Sequence, residues 1–489
     1  MKDFKYIWIV GIVVTVLIVT IPVFLFIANP LQAGSDPWTS MPEHPVHTDH
    51  THLITGEYTT GQEVTTRCLE CHEDAAHQVS QTAHWTWLSD PVQIDRFDEP
   101  IQTGKANLIN NFCIGIQSNW PGCTRCHAGY GWSDETFDFT NETNVDCLVC
   151  HDQSGTYVKS TAGNPADGVD LVSVAQSVGL PTRENCGGCH FNGGGGNAVK
   201  HGDMDESLYY PDENIDIHMG GYNFQCIDCH RTTDHAITGR SMSVSIENSN
   251  QVACTDCHST DLHDDDRITV HLDTVACQTC HIPNGAVREA TKMEWDWSTA
   301  GRDDIEEDPH VYLKIKGSFI YESNFVPAYD WFNGSVERYL YGDLLDPSGI
   351  TVLNAPLGGI NDPNSLIWPF KIHRAQQPYD TVYNYLLQPK TVGEGGFWTE
   401  FDWDQALRLG SEVVNMDYSG QYGFATTDMY WNLSHMVAPK ERALQCTDCH
   451  GESGRMDWRA LGYYGDPMTW GGRTTPSVET AAANGQAND

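Results

Sequence analysis

The sequence is short of positive charge. Its 489 residues hold 27 lysines and arginines against 66 aspartates and glutamates, a formal net charge of −39. A field of that sign repels nucleic acid and disfavours anionic lipid, so no nucleic-acid partner is expected. A small anionic substrate would need local attraction, and with so few cations any cluster of them is informative. Long apolar runs are almost missing as well. The exception is Tyr6 to Ala28, an uncharged stretch that follows Lys2 and Lys5 and is long enough to span a bilayer. It is longer than the apolar core of about 7–15 residues found in cleavable signals, although Leu31-Gln-Ala33 resembles a weak cleavage site. The expectation is an N-terminal transmembrane helix within residues 1–33, anchored on the outer face of the cytoplasmic membrane with the remainder periplasmic or extracellular.

Spare cysteines are lacking too. Sixteen of the 17 cysteines fall into eight C-x-x-C-H units. These are Cys68/Cys71/His72, Cys123/Cys126/His127, Cys147/Cys150/His151 and Cys186/Cys189/His190, then Cys226/Cys229/His230, Cys254/Cys257/His258, Cys277/Cys280/His281 and Cys446/Cys449/His450. Paired C-x-x-C units could hold zinc, but zinc has no use for a histidine after every second cysteine. Disulfides fail because cysteines three apart rarely bridge. The motif is the attachment signature of c-type haem: two thiols add across the porphyrin vinyls, and the histidine lies below the iron. Eight covalently bound haem c groups are expected. Cys113 alone is left over.

Motif spacing sets the organisation. The motif starts lie 55, 24, 39, 40, 28, 23 and 169 residues apart, so seven haems fall within 68–281 and the eighth stands apart at 446–450. Eight porphyrins must be wrapped, so much of the core is expected to be cofactor. With roughly 57 residues per haem there is little room for large sheets. The predicted fold is mainly α with extensive irregular structure, a compact multihaem cytochrome c fold with minor β-hairpins. Residues 34–60 read as a linker and entry, 61–473 as the octahaem domain, and 474–489 as a small, polar, flexible tail. The cysteine-free span 282–445 is dense in aromatics and reads as a cover over porphyrin edges. Val311-Tyr-Leu-Lys-Ile-Lys316, Gly317 and Ser318-Phe-Ile-Tyr321 predict a hairpin. Phe401 to Val414 has helical spacing.

Of 22 histidines, fourteen lie outside the motifs. Electron-transfer haems are usually closed by a second axial side chain, whereas a catalytic haem keeps or frees a site. His50, His84, His201, His218, His235, His263, His271 and His435 precede or separate motifs and are the candidate distal ligands. These are eight names for seven seats. His44, His47 and His52 crowd together, and at most one of them would ligate.

Several blocks then resemble one family. They include Thr82-Ala-His-Trp-Thr-Trp87, Asn111 to Trp132, Asp146 to Asp152, Cys189 to Gly196, His218-Met-Gly-Gly221, Ala276 to Pro283 and Trp295 to Gly301. Leu340 to Asp343, Pro369 to Arg374, Gln377 to Asp380 and Ser434 to Lys440 follow in the same order. The sequence resembles the octahaem tetrathionate reductase family, kin of pentahaem nitrite reductase and hydroxylamine oxidoreductase, from about His50 to Tyr464. The resemblance implies an active site at the second haem, held by Cys123 and Cys126 with His127 as motif histidine. It also implies a lysine on that iron, matched by Lys159, and a free pocket cysteine, matched by Cys113. Only Lys105, Lys159 and Lys200 lie nearby in sequence, and which face Lys159 takes is open. A lysine binds iron only as the neutral amine. A thiol beside iron could attack or hold a sulfur substrate if it has thiolate character; otherwise Cys113 is an inert small hydrophobe.

Lys371, His373, Arg374, Gln377 and Tyr379 are the candidate substrate donors of the covering span, against the plainer reading of a surface loop. Two functions follow. One is a terminal reductase of a small sulfur or nitrogen oxyanion (the tetrathionate, nitrite or hydroxylamine class), fed by seven bis-histidine haems. The other is an electron conduit between a membrane donor and an extracellular acceptor. Either needs redox partners, a quinol oxidase-type membrane donor or other cytochromes, and either is compatible with a homo-oligomer.

Overall fold

The computed structural model describes residues 12, 14–18, 20, 37–94, 96–109, 115–246 and 249–473. The remaining residues, Cys113 and the tail after Arg473 among them, lie outside this description. The chain divides into two units. One comprises Met1–Glu43 with Ala253–Leu272, and the other His44–Val252 with Asp273–Asp489. In the first, a 3-10 turn spans Pro37–Ser40, the sixth attachment motif forms a turn over Cys254–Asp256, and Asp265 caps a short helix over Asp266–Thr269.

In the second unit, helices are brief and carry the motifs. α1 spans Gly61–Leu69 and starts at a reciprocal cap, in which the Thr60 hydroxyl accepts the Glu63 N–H and the Glu63 carboxylate accepts that of Thr60. Its last turn delivers Cys68. α2 (Leu171–Gln176) buries Leu171, Val174 and Ala175 against Val64 and Leu148, which fastens the first and third motifs together. α3 (Arg183–His190) carries the whole fourth motif, and α4 (Trp403–Val413) is the longest helix of the described residues, capped by Asp402 onto the Gln405 N–H.

The cysteine-free span builds an eight-stranded sheet. Its strands are β1 Thr291–Asp296, β2 Tyr312–Leu313, β3 Gly317–Glu322, β4 Ala328–Phe332, β5 Ile350–Val352, β6 Leu366–Asp380, β7 Tyr385–Leu386 and β8 Tyr422–Asn432. The path runs β2-β3-β1-β6-β8-β5, with β4 and β7 also on β6. β6 and β8 are antiparallel over eleven residue pairs, from Phe370 opposite Asn432 to Asp380 opposite Tyr422. Trp403, Ala406 and Leu407 of α4 pack on Trp295, Trp297, Phe319 and Phe397 in the principal core cluster. Each such large side chain contributes about 1.5–3 kcal/mol by burial.

The fold-class expectation is corrected on two counts. The sheet is no minor hairpin: averaging haem density over the whole chain hid a haem-free stretch with room for strands. The predicted hairpin is its β2–β3 edge, and the predicted helix is α4. The predicted membrane helix falls largely on residues outside the description. Among the described residues no helix is long and apolar enough to cross a membrane, so a transmembrane helix is not part of the observed fold.

Candidate functional site at the second attachment motif

Each C-x-x-C-H unit folds as about one helical turn, which brings both sulfurs and the histidine to one side. The histidine N–H closes that turn on the first cysteine's carbonyl at 2.8–3.1 Å for His72, His151, His230, His258 and His450, and His190 and His281 end helices that contain their whole motifs. The second motif differs. The His127 N–H reaches Thr124 instead, at 2.9 Å, and the backbone turns extended at His127.

The imidazoles meet in facing pairs. Ring centroids lie 6.3 Å apart for His50 and His72, 6.1 Å for His84 and His190, 6.4 Å for His235 and His151, and 6.2 Å for His435 and His230. A metal–imidazole bond of about 2 Å on each side, plus roughly 1.1 Å from nitrogen to ring centre, requires a separation near 6 Å. The residues therefore fit an axially ligated iron between each pair. Several of their Nδ1 atoms are engaged elsewhere: His50 with Thr48 O at 2.7 Å, and His151 with Gly179 O, His230 with Thr238 O and His235 with Gln78 Oε1, each of these three at 2.8 Å. His435 Nδ1 lies 3.2 Å from the Asp203 carboxylate. Such bonds fix the tautomer and leave Nε2 for a metal. The motif cysteines form no disulfides. Thiols of different motifs approach each other, Cys68 with Cys147, Cys126 with Cys189 and Cys186 with Cys226, so sites one and three, two and four, and four and five adjoin.

The attachment residues are unevenly covered. Cys71, Cys229, Cys254 and Cys446 are exposed, and the other twelve motif cysteines, Cys257 among them, are partly buried, as is His281. Cys71, Cys229, Cys257 and His281 lie at the ends of their turns. Cys71 comes after α1 has ended at Leu69, with its N–H on Cys68 O at 3.2 Å. Cys229 closes the single turn Cys226–Cys229, and exposed Arg231, Thr232 and Thr233 follow it. Cys257 follows the 3-10 turn of the smaller unit, beside exposed Thr255 and Asp256. His281 ends the helix Cys277–His281 and belongs to none of the four facing pairs. Its motif is tied to the sheet region instead: Thr279 Oγ1 donates to Ile367 O at 2.7 Å, and the His281 carbonyl accepts the Ala438 N–H at 2.8 Å. A motif on one short turn can cover only one side of a porphyrin, so neighbouring segments decide how far each site is enclosed.

The other predicted ligands are placed as follows. His201 is edge-on to Trp431 at 4.9 Å, and burial pushes its pKa down to about 3. His218 sits in a π-helical turn over Ile217–Gly221, with Nδ1 3.9 Å from Asp216. His263 and His271 accompany the sixth motif in the smaller unit, where His271 Nδ1 donates to Arg267 O at 2.7 Å.

At the second motif the pattern inverts. His127 is fully buried, ringed by Trp85, Trp132 and Phe137 at 5.0, 4.8 and 5.6 Å. Its Nε2 lies 2.7 Å from the Trp85 carbonyl, while Nδ1 has no hydrogen-bond partner among the described residues. A carbonyl can only accept, so Nε2 carries the proton and has no lone pair for iron. Burial holds the ring neutral, its pKa pushed down to about 3. Gly129 is required here: a Cβ would stand 2.6 Å from the Trp85 ring and 2.9 Å from His127.

Lys159 occupies the space beside this motif. It is 8% exposed, and its Nζ donates to the His127 carbonyl, to Gly129 O at 3.2 Å and to Asp146 at 2.8 Å. Asp146 also accepts Tyr130 Oη at 2.8 Å and Tyr157 Oη at 2.9 Å. Burial, then the Asp146 charge, drives both phenols' pKa values up, so both remain donors. A cavity of about 560 Å³, lined by Trp85, Leu88, Gln117, Trp120, Trp132 and Phe139, lies against the Trp85 and Trp132 rings that surround His127, a size usual for ligand sites. Cys113 lies outside the described residues.

The candidate donors of the covering span separate. Along β6, Lys371, His373 and Gln377 point inward and are buried, whereas Arg374 points the other way and pairs with Asp428 at 2.7 and 2.8 Å. Lys371 Nζ is held by Val199 O, Lys200 O and Thr291 Oγ1 at 3.1, 2.8 and 2.5 Å. Tyr379 is only partly buried and packs beside a core cluster. Sequence reasoning passed over Asp146, Tyr130, Tyr157 and Arg338. Only the quoted Asp146 block hinted at the first, and its two phenols lie 16 and 11 residues away.

Comparison with known proteins agrees with this chemistry. The family described as "Cytochrome c bacterial" matches residues 292–453. An uncharacterized protein of Archaeoglobus fulgidus is 22% identical over 269 residues, 45% of this chain and 90% of that protein. The crystal structure of octaheme cytochrome c from Shewanella oneidensis is 48% identical, covers 88% of this chain and 100% of its own, and superimposes with a TM-score of 0.82.

Proposed function

The chain belongs to the octahaem c-type cytochromes, with covalently bound haem c on its cysteine pairs, and on that premise we propose that it reduces a small sulfur or nitrogen oxyanion at the second haem. The observation that carries this reading is the exchange of roles between His127 and Lys159. The imidazole is spent on the Trp85 carbonyl, while an amine stands by the same motif. Lys159 would hold the iron on the motif histidine's side as a neutral amine, which keeps two N–H bonds for the surrounding acceptors. Asp146, with its two phenol donors, orients that amine. Bound haem supplies one-electron transfer from site to site and, at the second site, an iron that differs from its bis-imidazole neighbours. The four facing pairs, His50/His72, His84/His190, His235/His151 and His435/His230, are the proposed electron-transfer ligands. We also propose export across the cytoplasmic membrane, because haem c is attached on its outer side.

The conduit reading draws on the adjoining attachment sites, which suit relay alone. Replacement decides between the two. Lys159→Leu should alter the spectrum of one haem and change turnover of tetrathionate, nitrite and hydroxylamine, leaving the other seven haems as they were. Cys113→Ser should impair a sulfur-linked substrate more than a nitrogen one, which needs only iron and proton donors. If both variants reduce every substrate like the native protein, or the native protein reduces none, the conduit is the better account.

A further inference from the structure

Arg338 is 3% exposed, in a chain whose arginines otherwise mostly reach carboxylates or solvent. It ends a short strand, Val336–Arg338, paired with Asn354–Pro356. Among the described residues its guanidinium makes one hydrogen bond, Nη2 to Ile109 O at 3.3 Å, while Nε and Nη1 are buried without an acceptor. Among the described residues it forms no ion pair, despite 66 acidic residues in the chain. A buried guanidinium stays charged and needs a compensating anion. Two lysines share its surroundings. Lys200 lies within electrostatic reach of Arg338, of Lys105 and of the second-site thiols Cys123 and Cys126, and burial pushes its pKa down to about 7. Lys105 Nζ lies 4.5 Å over the Trp87 ring, which packs edge-on to His127 at 5.5 Å. In a molecule this acidic, a buried guanidinium with two open donors, beside two lysines and one attachment motif, points to a bound anion.

We propose that Arg338, supported by Lys200 and Lys105, binds an oxyanion at the second attachment site, its planar fork presenting parallel N–H donors to two oxygens. The same chemistry serves a porphyrin propionate or a free sulfur or nitrogen oxyanion, and the second of these rests on the reductase reading.

The test uses eight-haem protein carrying Arg338→Lys, which keeps the charge and loses the fork, and Arg338→Gln, which loses both. Mass confirms haem content first, so a variant that fails to mature is recognised. Sulfite is titrated into oxidised protein and followed by haem absorbance, and haem potentials are measured by spectroelectrochemistry. For a free oxyanion, the sulfite dissociation constant weakens by roughly tenfold or more in Arg338→Gln and less in Arg338→Lys, the usual effect of losing a charged hydrogen bond. For a propionate, sulfite binding is unchanged and one haem's potential falls in Arg338→Gln, because a nearby cation no longer disfavours its oxidised state. If neither quantity moves in either variant, the site is refuted. Turnover is recorded separately: a native protein without reductase activity sinks the reductase reading and leaves the sulfite and potential results standing.

Discussion

At the scale of single residues, the identity of a ligand is decided by where its other hydrogen bonds go. The motif alone makes His127 indistinguishable from seven other histidines, and only its Nε2 contact with Trp85, 42 residues away in sequence, sets it apart. The attachment cysteines and the short list of lysines were legible because that chemistry is local. How far Cys71, Cys229, Cys257 and His281 are enclosed was not, because distant segments supply the cover. Arg338 was equally hidden, since nothing near it in sequence marks an arginine without a carboxylate. The charge state of Lys159 can be read through Asp146. If Lys159 were an ammonium ion, Asp146→Asn would leave a buried charge uncompensated, at about 3–5 kcal/mol. If it is the neutral amine, one phenol or N–H loses its acceptor, at about 1–3 kcal/mol. The expected result for haem-loaded protein, measured by chemical unfolding, is the smaller loss, about 2 kcal/mol, with a changed spectrum at one haem. A loss above about 4 kcal/mol with no spectral change would point to an ammonium that never meets iron.

Secondary-structure elements show why part of the fold escaped the sequence. The β2–β3 hairpin and α4 were readable because their signals, a glycine turn and a 3.6-residue period, lie within a dozen residues. β6 was not. Its inward face carries Lys371, His373 and Gln377 among Ile367 and Ala375, so the apolar alternation that marks a half-buried strand is broken. Its main partner, β8, begins only after the α4 segment. The end of β6 gives a prediction at this scale. The Asp380 carboxylate accepts the Val382, Tyr383 and Ser419 N–H groups at 2.8, 3.0 and 2.7 Å, tying the β6–β7 turn to the segment that enters β8. Burial pushes its pKa up, but these donors outweigh burial and hold it below the usual carboxylate value. A folded pKa below the unfolded one adds stability that is present above about pH 4 and lost as pH falls through the folded value. Asp380→Asn should therefore cost roughly 2 kcal/mol at neutral pH and flatten the acid limb of the stability curve. An acid limb identical to the native one would count against this role.

For the whole molecule, charge and haem arrangement act together. Propionates add to a polypeptide already at −39, so an approaching partner meets a negative field before it meets any particular haem. The sites that adjoin through their cysteines mean that an electron entering at any of them has neighbours to move to, and partner choice falls to the surface. That field should steer cationic donors and repel anionic ones, with a range set by the Debye length, about 30 Å at 0.01 M salt and 10 Å at 0.1 M. Reduction by a dicationic viologen should slow as salt rises from about 10 to about 200 mM, and reduction by an anionic dithionite-type donor should quicken over the same range. Stopped-flow traces of total haem absorbance measure both. The two salt slopes must have opposite sign. Equal slopes would mean that electrons enter through a local patch that the overall charge does not control, and the cations around Cys123 and Cys126 would then be the first place to look for it.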